Sequence, residues 1–178
     1  MFSYYTFVFV LCATFVFHSN ADSIVYSITL QQYTTIQIGW TQQQVEQLLG
    51  GSGSLISQSG TQGSSNEVTT IGYTGSQSSS SSATFDFQGG TLYSKSQSGL
   101  DTTVCLITLQ QYNQLEIGWT RDQVTNLVGN PGIVTSESGT SNTTSINVQY
   151  QPAISSYGVV YLGFYGGKLT SKYESGFK

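Results

Sequence analysis

Carboxylates such as Asp86, Asp101, Glu116 and Asp122 are of the type that does acid–base chemistry, and a facing pair of them can hydrolyse a glycoside. No motif in this chain brings any two together. Asp122 falls in the first turn of an expected helix, where its charge suits the helix dipole, and Glu116 reads as a polar helix-end residue. The imidazole and thiolate chemistries are poorer still. His18 is the only histidine, and it lies in the N-terminal apolar segment. Beyond that segment Ser-His-Asp and Cys-His catalysis lack their base, and His/Cys zinc sites lack their ligands. The inventory predicts no enzyme, no cofactor and no metal.

The charged side chains point the same way. They make up 8% of the chain, with a net charge of −4, and the five cations form no basic stripe. Nucleic acid is therefore not an expected partner. The polar residues are mostly Ser, Thr, Gln, Asn and Gly, a surface with a weak long-range field.

Phe7 to Phe17 is an apolar run of signal-peptide length, and Ser19-Asn20-Ala21 supplies small residues for cleavage after Ala21. Residues 1–21 are thus expected to be removed and the protein to be extracellular, with no membrane insertion afterwards. Cys12 leaves with that segment, so Cys105 has no intramolecular partner. Its surroundings, Val104-Cys-Leu-Ile107, favour a buried thiol; the alternative is an intermolecular bridge giving a homodimer.

The elements that would position any site occur twice. Ile28-Thr-Leu-Gln-Gln-Tyr33 returns as Ile107-Thr-Leu-Gln-Gln-Tyr112, and Ile38-Gly-Trp-Thr41 as Ile117-Gly-Trp-Thr120. A period this long is one small unit copied in tandem, repeat 1 over 22–100 and repeat 2 over 101–178. Each copy opens on two Thr-x-x-Gln capping boxes, at Thr29, Thr41, Thr108 and Thr120. Leu30, Tyr33 and Ile36, and Leu109, Tyr112 and Leu115, form one apolar stripe. Val45, Leu48 and Leu49, and Val124, Leu127 and Val128, form another. Gly50 and Gly129 sit where helices terminate. Strands follow around Leu55, Ile71, Phe85 and Leu92, and again around Val134, Val148, Leu162 and Leu169. Gly89-Gly90 and Gly166-Gly167 make hairpin turns. The predicted class is α+β: two short helices on a four-stranded antiparallel sheet, twice, forming one extended concave sheet. Gly75 to Ser82 is low-complexity and reads as a hairpin tip without fixed structure. Asn142-Thr-Thr144 is an N-glycosylation sequon in a loop.

Strand alternation sorts the faces. Positions apolar in both copies are core, and their neighbours, including Asp86, Tyr93, Lys95, Gln149, Tyr161, Tyr165 and Lys172, are expected on the open face. Tyr suits an interface, although cross-strand Tyr also stabilises a sheet. Lys95 and Lys172 recur at equivalent sites, as anchors for acceptors on a partner or simply as solubilising charges. Tyr73, Tyr150 and Tyr173 fall on the core side by this phase. Ile154 and Tyr157 give the second hairpin tip an apolar payload for a groove, unless Ile154 caps the core edge.

Tyr33…Ile38-Gly39-Trp40-Thr41…Gln44-Val45…Leu49-Gly50, with its copy from Tyr112 to Gly129, resembles the repeat of the β-lactamase inhibitory protein family. Its Gly-x-Thr-x-x-Gln-Val core is also similar to that of bacterial outer-membrane assembly lipoproteins. The resemblance implies helix–helix–strand repeats building a long concave sheet, rich in aromatics, that clasps a protruding element of an enzyme. Family members carry a disulfide in each repeat, which this chain cannot form. Their first-repeat tip inserts an acidic residue, whereas Gly75 to Ser82 has no carboxylate.

The reading that results is a secreted, non-catalytic module binding an extracellular protein through the open face. One alternative is an inhibitor of a secreted hydrolase; another is a self-associating extracellular structural or adhesive protein.

Overall fold

A computed structural model describes residues 26–140 and 143–177. The predicted signal segment and Asn142 of the sequon lie outside the described residues. The element order is β1 (Ser27–Ile28), α1 (Leu30–Thr35), α2 (Gln42–Leu49), β2 (Ser54–Ser59), β3 (Val68–Gly75), β4 (Ser82–Gln88) and β5 (Thr91–Ser98). It continues with β6 (Leu106–Ile107), α3 (Leu109–Gln114), α4 (Arg121–Val128), β7 (Ile133–Thr140), β8 (Thr143–Pro152), β9 (Val159–Tyr165) and β10 (Lys168–Ser175).

Six- and eight-residue helices are too short to stand alone in water, so caps and tertiary contacts must hold them. All four capping boxes form. Each threonine side chain accepts from the backbone N–H three residues on, and each glutamine carboxamide reaches back to the cap. Gln32 and Gln111 also use their carboxamide N–H to reach the carbonyls of Leu48 and Leu127, tying the first helix of each pair to the end of the second. Gly50 and Gly129 end α2 and α4 in the left-handed region, at φ 86° and 84°.

Among the described residues the strands form one ten-stranded, mostly antiparallel sheet along the path β1-β3-β4-β5-β7-β8-β9-β10, with β2 also on β3 and β6 on β8. β1 and β6 are parallel additions of two residues each. The middle seam, β5 with β7, is short: Ser94 faces Ser138, Lys95 faces Glu137 and Ser96 faces Ser136.

Two apolar clusters lie on the helix side. Tyr33, Ile36, Val45 and Leu49 pack with Ile71, Tyr73, Phe85, Phe87 and Leu92. Leu115, Val124 and Val128 pack with Val148, Tyr150, Leu162, Phe164 and Leu169. Trp40 and Trp119 are half-buried against these clusters. Leu109, expected on the α3 stripe, is exposed. Cys105 is buried in the second cluster, and burial pushes its thiol pKa up. A bridge through it would require that region to open, which removes the support for a Cys105-linked homodimer.

The Ser-rich tip departs from expectation. Gly75 and Ser82 belong to strands, and between them the Ser81 N–H and hydroxyl both bond the Ser78 carbonyl, at 3.1 and 2.7 Å. Ser81 is buried. Serine hydroxyls supply the local backbone partners that make a turn here, so low complexity does not leave the chain without structure.

Candidate interaction face

Bulges decide which side chains face out. Between β4 and β5, Asp86 faces Ser94 while Phe87 faces Leu92, which leaves Tyr93 as the extra residue. Beyond it the alternation is inverted, so Lys95 shares a face with Phe85 and lies on the helix side. The same occurs between β9 and β10. Gly163 faces Ser171 while Phe164 faces Leu169, so Thr170 is extra, Lys172 lies opposite Leu162, and Tyr173 lies opposite Tyr161.

These shifts overturn three expectations. Lys95 is 2% exposed rather than on the open face. Its ammonium donates to the carbonyls of Tyr33 and Ile36 at 3.2 and 2.6 Å, sits 3.6 Å from a Glu137 oxygen and lies 4.7 Å from the Tyr33 ring centroid. Burial lowers its pKa, and Glu137 opposes that shift. Lys172 repeats the arrangement, donating to the carbonyls of Tyr112 and Leu115 at 3.1 and 2.9 Å over the Tyr112 ring. Both lysines thus cap the carbonyl end of a six-residue helix, where a cation complements the dipole. Neither lysine projects from the open face as expected, and each instead binds carbonyls within the chain. Tyr173, assigned by sequence to the core, is 59% exposed on the open face.

The open face itself is a carpet of small polar groups. Asp86 lies there, accepting from the Thr70 hydroxyl at 2.8 Å, and Asn147 donates to Ser136 Oγ at 2.9 Å. Neighbouring Thr84, Ser94, Ser96 and Ser138 continue it across the centre. The aromatic area is gathered at one end, on β9 and β10. Tyr161 (41% exposed) and Tyr165 (55%) project from the same face of β9, and Tyr173 pairs directly with Tyr161. Gln149 of β8 is the partner of Tyr161 on its other side. Between the two β9 tyrosines, Gly163 leaves room that the Ser171 hydroxyl occupies.

Tyr93 is set apart from this group. As the bulged residue it is half-buried and lines a cleft of about 440 Å³ with Ile38, Gly39, Gln88 and Thr140. Ile154 and Tyr157 stand at the β8–β9 turn, Tyr157 fully exposed and Ile154 exposed rather than capping the core. Tyr173 is the residue that alternation missed. Its signal was the three-residue spacing of Leu169 and Lys172, shared by Leu92 and Lys95, which strict alternation does not produce. Among the described residues no cluster of His, Cys, Asp or Glu could hold a metal ion, and no helix is long and apolar enough to cross a membrane.

The architecture has solved counterparts. A candidate beta-lactamase inhibitor protein from Streptococcus mutans superposes with a TM-score of 0.60 at 16% identity, over 86% of this chain and 92% of that one. At that identity the likeness shows the fold alone. No curated protein matches the chain in sequence. The family model described as beta-lactamase inhibitor (BLIP) matches residues 29–152, from the first capping box to the end of β8. The chain belongs to the beta-lactamase inhibitor family.

Proposed function

We propose that this protein is a secreted, non-catalytic module that binds an extracellular protein on the open face of its sheet. The two element sets are read as tandem repeats, 22–100 and 101–178, whose strands make one concave surface with the helices behind. The observation that carries the proposal is the exposed Tyr161–Tyr173 pair beside Tyr165. Three large amphipathic rings on a rigid sheet supply contact area at low entropy cost, with hydroxyl tips for hydrogen bonds. Such a patch suits the anchor of an interface, and the Ser/Thr/Asn carpet beside it suits a polar surround.

Family membership supports an inhibitor-like role, with a secreted hydrolase as the narrower target class. The β8–β9 turn, with Ile154 and Tyr157, is the segment best suited to enter a groove. Asp86 and Gln149 contribute polar contacts on the face, and Tyr93 contributes at its cleft. The test is capture from the native extracellular medium by residues 22–178, compared with the Tyr161→Ala/Tyr165→Ala/Tyr173→Ala chain. Loss of the captured protein with the triple variant supports the face as the site; its retention transfers the site to the hairpin turns.

A further inference from the structure

The seam between β5 and β7 has counterparts at the two outer edges of the sheet. β10 follows β9 as β5 follows β4, and in each pair a bulge brings a lysine to the helix side, Lys172 opposite Leu162 and Lys95 opposite Phe85. At the other edge, β2 runs against β3 as β7 runs against β8. Both pairings carry a bulge at the same step, Leu55/Ser57 and Val134/Ser136. Ser57, Gln58 and Ser59 thereby occupy the places of Ser136, Glu137 and Ser138. Inside the molecule a lysine-bearing strand joins a strand of the β7 kind. At the outside, β10 and β2 carry the same pattern, and among the described residues neither has a strand on its far side.

The uncovered state is visible in the side chains. All six residues of β2 are exposed, whereas Ile133 to Ser138 of β7 are half-buried. Leu55 is 62% exposed, whereas Val134, its counterpart, packs on the second core and its carbonyl accepts from the Gln97 carboxamide at 3.0 Å. Ile56 beside it is also exposed. β2 itself carries no charged residue, and a strand edge with two exposed aliphatic side chains is a template for another strand.

We propose that the protein associates with itself head to tail, β10 of one copy adding onto β2 of the next in the register by which β5 joins β7. In that register Ser171 meets Ser59, Lys172 meets Gln58 and Tyr173 meets Ser57. Gln58, whose carboxamide N–H donates to Glu67, offers Lys172 its oxygen where Glu137 offers Lys95 a carboxylate. The contact is heterologous, so it leaves one free edge at each end and extends rather than closes. It does not depend on the reading of the open face as a partner site.

The test is disulfide trapping in a glutathione redox buffer with the purified protein. Ser59 and Ser171 are both exposed, so single Ser59→Cys and Ser171→Cys chains are expected to keep the fold, as circular dichroism checks. Mixing the two is expected to give a 59–171 linked dimer, and the double variant a ladder of linked multimers on non-reducing gels. Ser57→Cys with Tyr173→Cys, the neighbouring pair, is expected to link likewise. In sedimentation of the untrapped protein, Gln58→Lys is expected to weaken association about threefold, from cross-strand charge against Lys172. Three results would overturn the proposal. One is linkage no greater than that of a Gln43→Cys control on the helix face. Another is linkage of Ser171→Cys chains to one another in preference to Ser59→Cys chains, which would mean symmetric pairing of β10. The third is a monomer at every concentration.

Discussion

Lys95 on β5 donates to the carbonyl of Ile36, the residue that closes α1, at 2.6 Å. The side chain crosses from sheet to helix and satisfies a backbone group that a six-residue helix cannot satisfy itself. Glu137 of β7 lies on the same ammonium, so one lysine ties the first helix, the first set of strands and the second set together. Lys172 does the same for α3 through Leu115, with no carboxylate on it among the described residues. Lys95→Met is therefore expected to cost about 3 kcal/mol of stability, by orphaning the Ile36 carbonyl and Glu137. Lys172→Met, at a half-buried site, is expected to cost about 1 kcal/mol. Urea unfolding of the two variants checks the ranking.

The alkaline limb of stability should follow the buried phenols. Burial is the main cause that pushes Tyr150 up to about 12, from 10.0. A folded pKa above the unfolded value means that the folded state retains a proton the unfolded state has lost. The stabilisation is complete below pH 10 and is lost as pH rises toward 12, on the order of 2 kcal/mol for this group. Tyr33 is raised by burial too and adds to the loss. Lys95 acts in the opposite sense below 10.5, where the unfolded state binds the extra proton, so the net fall is read above that pH. Tyr150→Phe is expected to flatten the profile, as measured by chemical unfolding at stepped pH.

Glycines at the helix junctions separate backbone strain from crowding. Gly39 and Gly118 have φ of 94° and 95°, and an added Cβ would meet nothing within 4 Å. Alanine at either is expected to cost only the left-handed penalty, about 1 kcal/mol. Gly132 also has positive φ, but an added Cβ there would run into Val148 and Tyr150. Gly132→Ala is expected to cost about 3 kcal/mol or more. Thermal melts of the three variants check the order.

Local rules reach most of this fold. Capping boxes, terminating glycines and glycine hairpins are written in adjacent residues, and each forms as expected at Thr29, Gly50 and Gly89-Gly90. Face assignment is different, because one bulge inverts every position beyond it and depends on pairing with a distant strand. Alternation therefore put Tyr161 and Tyr165 on the correct face but exchanged Lys172 with Tyr173 after the bulge at Thr170. The spacing of three from Leu92 to Lys95 and from Leu169 to Lys172 was the trace of that bulge in the chain. A lysine repeated beside a repeated apolar position was the trace of a buried cap.

The open face is the central claim, and binding by its tyrosines tests it most directly. The measurement is the amount of extracellular protein captured by residues 22–178, by the Tyr161→Ala/Tyr165→Ala/Tyr173→Ala variant, and by a Gln43→Ala/Gln47→Ala variant altered on the helix side. The three tyrosines are exposed, so melting temperatures should stay close while the partner is lost only from the tyrosine variant. A partner held equally by all three baits would contradict the assignment of the face, whatever its identity.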